Sequence, residues 1–239
     1  MFLNWQTGII TTALDSGTTL FLYDPATNKD LVTGTVCGAI RSGTTVDSTI
    51  LIDGNPTLKS TTGTHGVDIA FPTPLDLNSL SEWTIEWSSK PVTIRAEYSN
   101  ELFLNWPSGP LFGCRWTDSG YGHRLQFTDG AWTNPTLWRP ESFTKATAVT
   151  KINRYAMVFK DGKISVYIDG VKQMLENGSD IAGPNTKQNF FPKATTWQPL
   201  TRLLLGYYSS TYTSFIGNYG RVRISAGARY LANYTPAAF

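Results

Sequence analysis

The stretch RYAMVFKDGKISVYIDGVKQ, residues 154–173, restricts the possible folds of this chain more than any other part of the sequence. It alternates apolar and polar residues, and its Asp161-Gly162 pair is of the type that closes two-residue turns between antiparallel strands. The pattern predicts a hairpin whose first strand covers 155–160. In the returning strand, alternate side chains are predicted to face the core and the solvent. The predicted core set is Ile164, Val166 and Ile168, and the predicted solvent set is Lys163, Ser165, Tyr167 and Asp169.

Other segments share this period of two. In EWTIEW (82–87), Trp83, Ile85 and Trp87 fall on one face, and RLLLGYY (202–208) and YGRVRIS (219–225) are also typical of strands. No segment keeps a helical period over about 11 residues. The 21 glycines, the 13% aromatic content and the charged share of only 16% favour short strands and many turns. The sequence therefore predicts an all-β chain, an antiparallel two-sheet sandwich or jelly roll.

Residues 1–60 differ in composition from residues 61–239. They contain Trp5 but none of the other seven of the chain's 8 tryptophans, and their β-prone runs are short. A segment of this size holds only a small core of its own. We predict a small β-rich N-terminal segment that packs on its own domain, on a sister subunit or on a larger assembly, followed by the main domain.

Charge, cysteine content and the N-terminal sequence exclude several classes of function. A net charge of +2 with no dense Lys/Arg run argues against nucleic-acid binding. Cys37 and Cys114 lack metal or disulfide spacing and are predicted to be buried free thiols. The opening MFLNWQTGII has neither a signal peptide pattern nor an apolar membrane anchor. We therefore expect synthesis in a cytoplasm, without membrane insertion.

Four motifs, in this order and spacing, resemble one family. SEWTIEWSSKP, NRYAMVFKDGKISVYIDGVKQ, LLLGYY and GNYGRVRISAGARYLANYTP are similar to the concanavalin A-like lectin/glucanase fold in its laminin G-like form. The resemblance covers residues 61–239. The ending looks like the version found in bacteriophage virion and tail proteins, where an Arg-Ile strand precedes a Gly-Ala-Arg-Tyr turn and an aromatic-Thr-Pro sequence. The matching positions are Arg223, Ile224, Gly227, Ala228, Arg229, Tyr230, Tyr234, Thr235 and Pro236.

The ending also carries a structural expectation. After the last strand the chain needs a sharp turn at Gly227. Tyr230 and Tyr234 are then predicted to bury their rings over a sheet edge while their hydroxyls stay in water.

Because the family includes glucan hydrolases, paired carboxylates need attention. Glu82 and Glu86 share a strand face, but they lack the tight acidic spacing of laminarinase-type enzymes, and a solvated or hydrogen-bonded face is the favoured interpretation. His65 and His123 have no nucleophile or second histidine at metal spacing. Four aspartates are predicted to lie in turns, where calcium is possible but unsupported, and no cofactor is predicted. They are Asp118, Asp129, Asp161 and Asp169.

Aromatic side chains among glycines and prolines at 103–138, and the tyrosines of GYYSSTYTSF (206–215), are the candidate carbohydrate-binding residues. Exposed rings can stack on sugar faces while neighbouring polar groups bond hydroxyls; the alternative for each ring is ordinary packing in the core. The candidates are Trp106, Arg115, Trp116, Asp118, Tyr121, His123, Trp132, Tyr207, Tyr208 and Tyr212.

Three functions follow as hypotheses. The first is a non-enzymatic bacteriophage virion structural protein, of decoration or fibre type, on the virion surface. It would contact other virion proteins through residues 1–60, form a homo-oligomer and adhere to host-surface glycans by multivalency. The second is a carbohydrate-binding module or adhesin. The third, disfavoured by the missing carboxylate set, is a glycan hydrolase.

Overall fold

The structure is a computed structural model. It describes most of the strands and the C-terminal region of the chain. The described residues are 19–37, 43–60, 67–93, 99–105, 112–119, 122–129, 137–140, 143, 148–149, 151–177, 186–193, 197–206 and 216–239.

These residues form eighteen β-strands and one turn of 3-10 helix at Leu77–Ser79. The strands are β1 Thr19–Asp24, β2 Lys29–Asp30, β3 Thr44–Ile52, β4 Asn55–Ser60, β5 Val67–Leu75, β6 Glu82–Thr93, β7 Ser99–Leu104, β8 Phe112–Ser119, β9 Gly122–Asp129, β10 Leu137–Pro140, β11 Asn153–Lys160, β12 Lys163–Ile168, β13 Val171–Lys172, β14 Leu175–Asn177, β15 Thr186–Gln188, β16 Phe191–Pro192, β17 Leu200–Leu205 and β18 Ile216–Ala226.

Two antiparallel sheets make up the fold. The ten-stranded sheet has the order β13-β12-β11-β6-β18-β1-β2, with β16 beside β12, and with β4, itself paired to β3, beside β18. The eight-stranded sheet has the order β15-β14-β10-β9-β8-β7-β17-β5. The predicted all-β sandwich of two antiparallel sheets is confirmed.

The core lies on the alternating apolar faces that the sequence shows. Trp83, Ile85 and Trp87 of β6 are each 0% exposed. Trp83 stacks on Phe159 and Trp87 on Tyr155, with ring centroids 5.3 and 5.0 Å apart, because β6 and β11 pair these residues directly. Such aromatic pairs across neighbouring strands stabilise a sheet beyond the area that they bury. The predicted core face of β6 is therefore confirmed.

The β11–β12 hairpin has the predicted turn. Asp161 and Gly162 have φ of 51° and 74°, the left-handed values that a two-residue hairpin turn needs. Ile164, Val166 and Ile168 are buried as predicted. The predicted solvent position of Tyr167 is wrong, because this ring is 1% exposed.

The described part of residues 1–60 belongs to the ten-stranded sheet. Strand β1 pairs with β18 (Phe21 opposite Ile224), and β4 pairs with β18 at its other end (Gly217 opposite Ser60). Phe21 lies in the same buried cluster as Trp83 and the other core residues. Packing on its own domain is thus one source of this segment's stability, and its role in attachment stays a prediction.

Residues 227–239, here called the C-terminal tail, cross the outer face of the ten-stranded sheet. The predicted turn at Gly227 has φ of 92°. Tyr230 and Tyr234 stack on each other with centroids 3.5 Å apart and contact the ring of Tyr167. The rings therefore lie over the sheet face rather than over its edge, and this cover is why Tyr167 is buried.

Backbone and side-chain hydrogen bonds fix the tail to the sheet. Gly227 donates its N–H to the carbonyl oxygen of Glu82 (2.9 Å), and Tyr234 donates its N–H to that of Gly170 (2.9 Å). The Tyr167 hydroxyl donates to the carbonyl oxygen of Tyr230 (3.1 Å). Both cysteines, Cys37 and Cys114, are buried free thiols, as predicted. Burial raises the pKa of the Cys37 thiol to about 11, which keeps it protonated at neutral pH.

Candidate functional site

Four of the candidate carbohydrate-binding residues lie on one hairpin, β8–β9, in the middle of the eight-stranded sheet. Arg115, Trp116 and Asp118 belong to β8, and His123 belongs to β9. The backbone register places Asp118 directly opposite His123. Asp118 and Asp129 therefore lie in strands, and their predicted position in turns is wrong. Asp161 and Asp169 do occupy turns, with left-handed φ values of 51° and 50°.

The other six candidates lie outside the described residues. They are Trp106, Tyr121, Trp132, Tyr207, Tyr208 and Tyr212. His65, considered above as a metal or catalytic residue, is also outside them.

The pairing of the strands shows which strand ends lie at the same end of the eight-stranded sheet. Strand β7 pairs with β8 so that Ser99 is opposite Trp116, and β17 pairs with β7 so that Leu205 is opposite Leu102. The end of β17 and the β8–β9 turn are therefore at the same end of the sheet. Gly206, the last described residue before the tyrosine-rich 207–215, belongs to this end.

Asn105 and Asp129, the described residues nearest to Trp106 and Trp132, belong to the opposite end, because Asp129 is opposite Phe112 at the other limit of the β8–β9 pair. Asn105 is held firmly: its side chain donates to the carbonyl oxygen of Pro199 (2.8 Å) and accepts from the N–H of Thr201 (2.8 Å). The described residues next to the candidates thus lie at two opposite ends of the sheet.

Glu86, one of the two carboxylates considered for catalysis, forms a buried ion pair. Arg223 donates to both of its oxygens, with Nε 2.6 Å from Oε2 and Nη2 2.8 Å from Oε1. The hydroxyl of Tyr230 donates to Oε1 (2.6 Å), and Nε of Arg229 is 3.6 Å from Oε2. Glu86 is 3% exposed beneath the tail, and its carboxylate joins β6 to Arg223 of β18 and to Tyr230 of the tail.

This cluster also shows where the expectation for Tyr230 is wrong. Its hydroxyl does not stay in water but bonds Glu86. Burial, together with the charge of Glu86, raises the pKa of Tyr230 to about 12. Burial alone would lower the pKa of Arg223, but the bonds and charge of Glu86 raise it overall, so the ion pair persists at neutral pH.

Glu82 has a different partner on the same strand face. Its Oε1 is 2.5 Å from Nζ of Lys160, and the backbone N–H of Ala228 donates to its Oε2 (3.1 Å). The hydrogen bond from Lys160 holds the pKa of Glu82 below its usual range. Glu82 and Glu86 thus share a hydrogen-bonded face under the tail, which is the interpretation that the sequence favoured.

Two further features of the described residues concern metals and membranes. Within the ranges given above, no three His, Cys, Asp or Glu side chains come together as a possible metal site. No helix in that part of the chain is long and apolar enough to cross a bilayer.

Comparison with known proteins gives fold relatives only. No family model matches the sequence, and no curated protein sequence matches it. Domain 4 of the extracellular GH43 arabinanase AbnA from Geobacillus stearothermophilus, solved with arabinotriose, is 17% identical, with a TM-score of 0.54 over 88% of this chain and 93% of that one. Trypanosoma rangeli sialidase is 14% identical, with a TM-score of 0.56 over 91% of this chain.

The chain spans 32% of that sialidase, about a third of its length. These similarities define the fold as a lectin-like antiparallel β-sandwich of the kind found in carbohydrate-active proteins.

Proposed function

We propose that this chain is a non-catalytic carbohydrate-binding domain whose binding surface is built on the β8–β9 hairpin. The observation that carries the proposal is the register of this hairpin: Asp118 lies directly opposite His123, and Trp116 is two positions from Asp118 on the same strand face, while Arg115 falls on the other face. Ligand sites combine apolar or aromatic surface with a few polar groups that fix orientation. Support also comes from the fold, because the arabinanase domain of similar fold was solved with arabinotriose.

A glycan array is the first test, with arabino-oligosaccharides and sialosides among the probes. We expect the wild-type chain to bind at least one saccharide class, and Trp116→Ala to weaken that binding by about tenfold, the equivalent of one lost aromatic contact. Asp118→Asn and His123→Ala give independent variants if Trp116→Ala fails to fold. Val36→Ala, at a residue that is 63% exposed and forms a bridge to Lys29 of the ten-stranded sheet, is the control.

Absence of binding across the array, or equal losses in Val36→Ala, would refute the proposed site. Incubation with arabinan and sialyllactose tests the non-catalytic part. We expect no released sugar. Turnover that Glu86→Gln abolishes would contradict it.

We further propose that the domain is displayed on the surface of a bacteriophage virion. The ending that resembles virion and tail proteins supports this setting. Four large apolar side chains in the described part of residues 1–60 are exposed by more than a third and are accessible for contact with another protein. They are Val32 (38%), Val36 (63%), Val46 (45%) and Leu51 (47%).

Deletion of residues 1–60 is a poor test, because it removes β1 and β4, the two strands that pair with β18 on the side away from β6. A better variant is Val46→Asp with Leu51→Asp, which changes exposed side chains only. Particles produced from a genome carrying it should contain much less of the protein by mass spectrometry, with Leu231→Asp as a control at a residue 63% exposed outside this segment. Normal incorporation of the double variant, or absence of the wild-type chain from purified particles, would contradict the virion role.

A further inference from the structure

A cleft of about 260 Å³ opens on the outer face of the ten-stranded sheet, beside the C-terminal tail. Ser165 and Tyr167 of β12 line it, and Phe190 and Leu231 contribute apolar surface. Leu231 is 63% exposed, so its side chain is accessible to a ligand in the cleft. The cleft lies on the sheet opposite to the one that carries the β8–β9 hairpin.

Three lysines line this cleft: Lys160, Lys163 and Lys172. Strand register places Lys160 directly opposite Lys163 in the β11–β12 pair, and like charges in this position destabilise a sheet. Lys160 is compensated by Glu82. Lys163 and Lys172 have no carboxylate within ion-pair distance in the part of the chain that the structure describes, so neither charge is neutralised by an ion pair there.

The surroundings of these lysines combine charge with apolar contact. Nζ of Lys163 lies 4.8 Å from the centroid of the Phe190 ring. The backbone of Lys172 is fixed by the side chain of Asn233 in the tail, which accepts its N–H (2.9 Å). Asp161 is the acidic residue of the lining, and it is exposed at the hairpin turn. A ligand with a negative group near Lys163 and Lys172, away from Asp161, fits this pattern.

A second cleft of about 390 Å³ lies beside the same hairpin turn and also includes Asp161. Lys193 lines it: its Nζ donates to Oδ1 of Asn78 (2.8 Å) and is 5.3 Å from the ring of Trp197. Its backbone N–H bonds the carbonyl oxygen of Gly162 (3.0 Å), which fixes this lysine to the turn. Two small clefts that share a rim and each carry lysine suit a chain-like ligand whose negative groups repeat.

We propose that the first cleft, lined by Lys160, Lys163 and Lys172 and here called the lysine cleft, is a second ligand site. It binds the carboxylate or sulfate group of an acidic oligosaccharide. Lys163 and Lys172 contact the anionic group, and Phe190 and Leu231 contact the sugar ring. Since drug-sized ligands occupy pockets of about 300 Å³ or more, the first cleft holds a single ring. The choice of a saccharide over other anions rests on the proposed carbohydrate-binding function.

The test compares two double variants of the full chain by isothermal titration calorimetry. Lys163→Gln with Lys172→Gln removes the cleft charges, and Lys29→Gln with Lys90→Gln removes the same charge elsewhere. The probes are an oligogalacturonate, a sulfated heparin-type hexasaccharide, neutral maltohexaose and single-stranded DNA. Thermal unfolding of each variant reports folding.

We expect the wild type to bind at least one of the two acidic oligosaccharides, more weakly at high salt. The cleft variant should bind it roughly tenfold more weakly, the sum of two exposed ion pairs, and the control variant should match the wild type. Equal losses in both variants, equal affinity for maltohexaose, or DNA binding as tight as that of the acidic oligosaccharides would overturn the proposal.

The same experiment separates this site from the hairpin site. Trp116→Ala should keep the wild-type affinity for the acidic probes. If the array shows no glycan that depends on the hairpin while acidic binding still depends on Lys163 and Lys172, the proposed hairpin site fails and the lysine cleft stands. If Trp116→Ala removes acidic binding in a folded protein, the acidic ligand belongs to the hairpin and the cleft is refuted.

Discussion

Strand β12 has an Asp-Gly turn at each end, and only the second turn is covered by the C-terminal tail. Gly162 and Gly170 have nearly the same left-handed φ, 74° and 79°. A Cβ atom at Gly162 would meet nothing within 4 Å, whereas one at Gly170 would lie 1.9 Å from the carbonyl oxygen of Tyr234 and 2.9 Å from Cδ of Pro236. Gly170→Ala therefore tests the attachment of the C-terminal tail, and Gly162→Ala is its matched control.

Both variants carry the same backbone penalty, about 1–2 kcal/mol for an alanine in the left-handed region. Gly170→Ala must also displace the tail. That displacement breaks the hydrogen bond from Tyr234 to Gly170, which contributes about 1 kcal/mol, and disturbs the stacked tyrosine pair, which contributes about 1 kcal/mol more. We expect Gly170→Ala to lower the free energy of unfolding by about 2 kcal/mol more than Gly162→Ala does.

Urea unfolding followed by fluorescence measures both free energies. For a chain of this size, a difference of about 2 kcal/mol corresponds to about 4–8 °C in melting temperature. Digestion by carboxypeptidase gives a second reading, since a displaced tail should be trimmed faster in Gly170→Ala alone. Equal destabilisation and equal trimming of the two variants would show that the tail does not press on this turn, and the account of the tail would be wrong.

Three further predictions concern buried polar groups. Arg223→Met should lower the free energy of unfolding by about 3 kcal/mol, because it leaves the charge of Glu86 unpaired in a buried site. Arg221→Met, which breaks the more exposed pair with Asp24, should lower it by about 1 kcal/mol. Equal losses in urea unfolding would contradict this. Hydrogen bonds, first of all from Thr49, lower the pKa of Asp47. The difference in free energy of unfolding between the wild type and Asp47→Asn should therefore be largest at neutral pH and should shrink as pH falls below about 4. A difference that stays constant down to acid pH would refute this. Tyr230 has a raised pKa of about 12, so its contribution to the free energy of unfolding should be complete below pH about 10 and should decline as pH rises towards 12. Urea unfolding at several alkaline pH values should show a shrinking difference in stability between the wild type and Tyr230→Phe. A growing difference would count against this.

The sequence predicted the local elements of the fold well. The Asp161-Gly162 turn and the core face of β6 depend on residues a few positions apart, and period-two alternation with left-handed turn chemistry captures such dependence directly. The two-sheet sandwich followed from the number and spacing of these strands.

The position of the C-terminal tail over the ten-stranded sheet could not be predicted in the same way. Alternation assigns Tyr167 to the face opposite the core, and that assignment is correct for the strand. It does not show that Tyr230 and Tyr234, more than sixty positions later, return over this face. The ion pair between Glu86 and Arg223 joins residues that are 137 positions apart in sequence, so neither partner carries a local signal.

For the candidate site, too, only residues that are close in sequence could be predicted to lie together. Arg115, Trp116, Asp118 and His123 share a hairpin because they are close along the chain. The lysine cleft was not predicted from the sequence, although Lys160 and Lys163 flank a predicted turn and would face each other in any two-residue hairpin. That pair of like charges was the available signal, whereas the positions of Phe190 and Leu231 beside it depend on long-range folding.

The position of β18 determines when the ten-stranded sheet can be completed. It lies between β6 on one side and β1 and β4 on the other, yet it is the last strand of the chain that the structure describes. A ribosome-bound chain lacking β18 therefore exposes unpaired edges on both β1 and β6, a state open to wrong pairing between nascent molecules. Slow elongation should favour aggregation, and the yield of folded protein should depend on how quickly β18 is released.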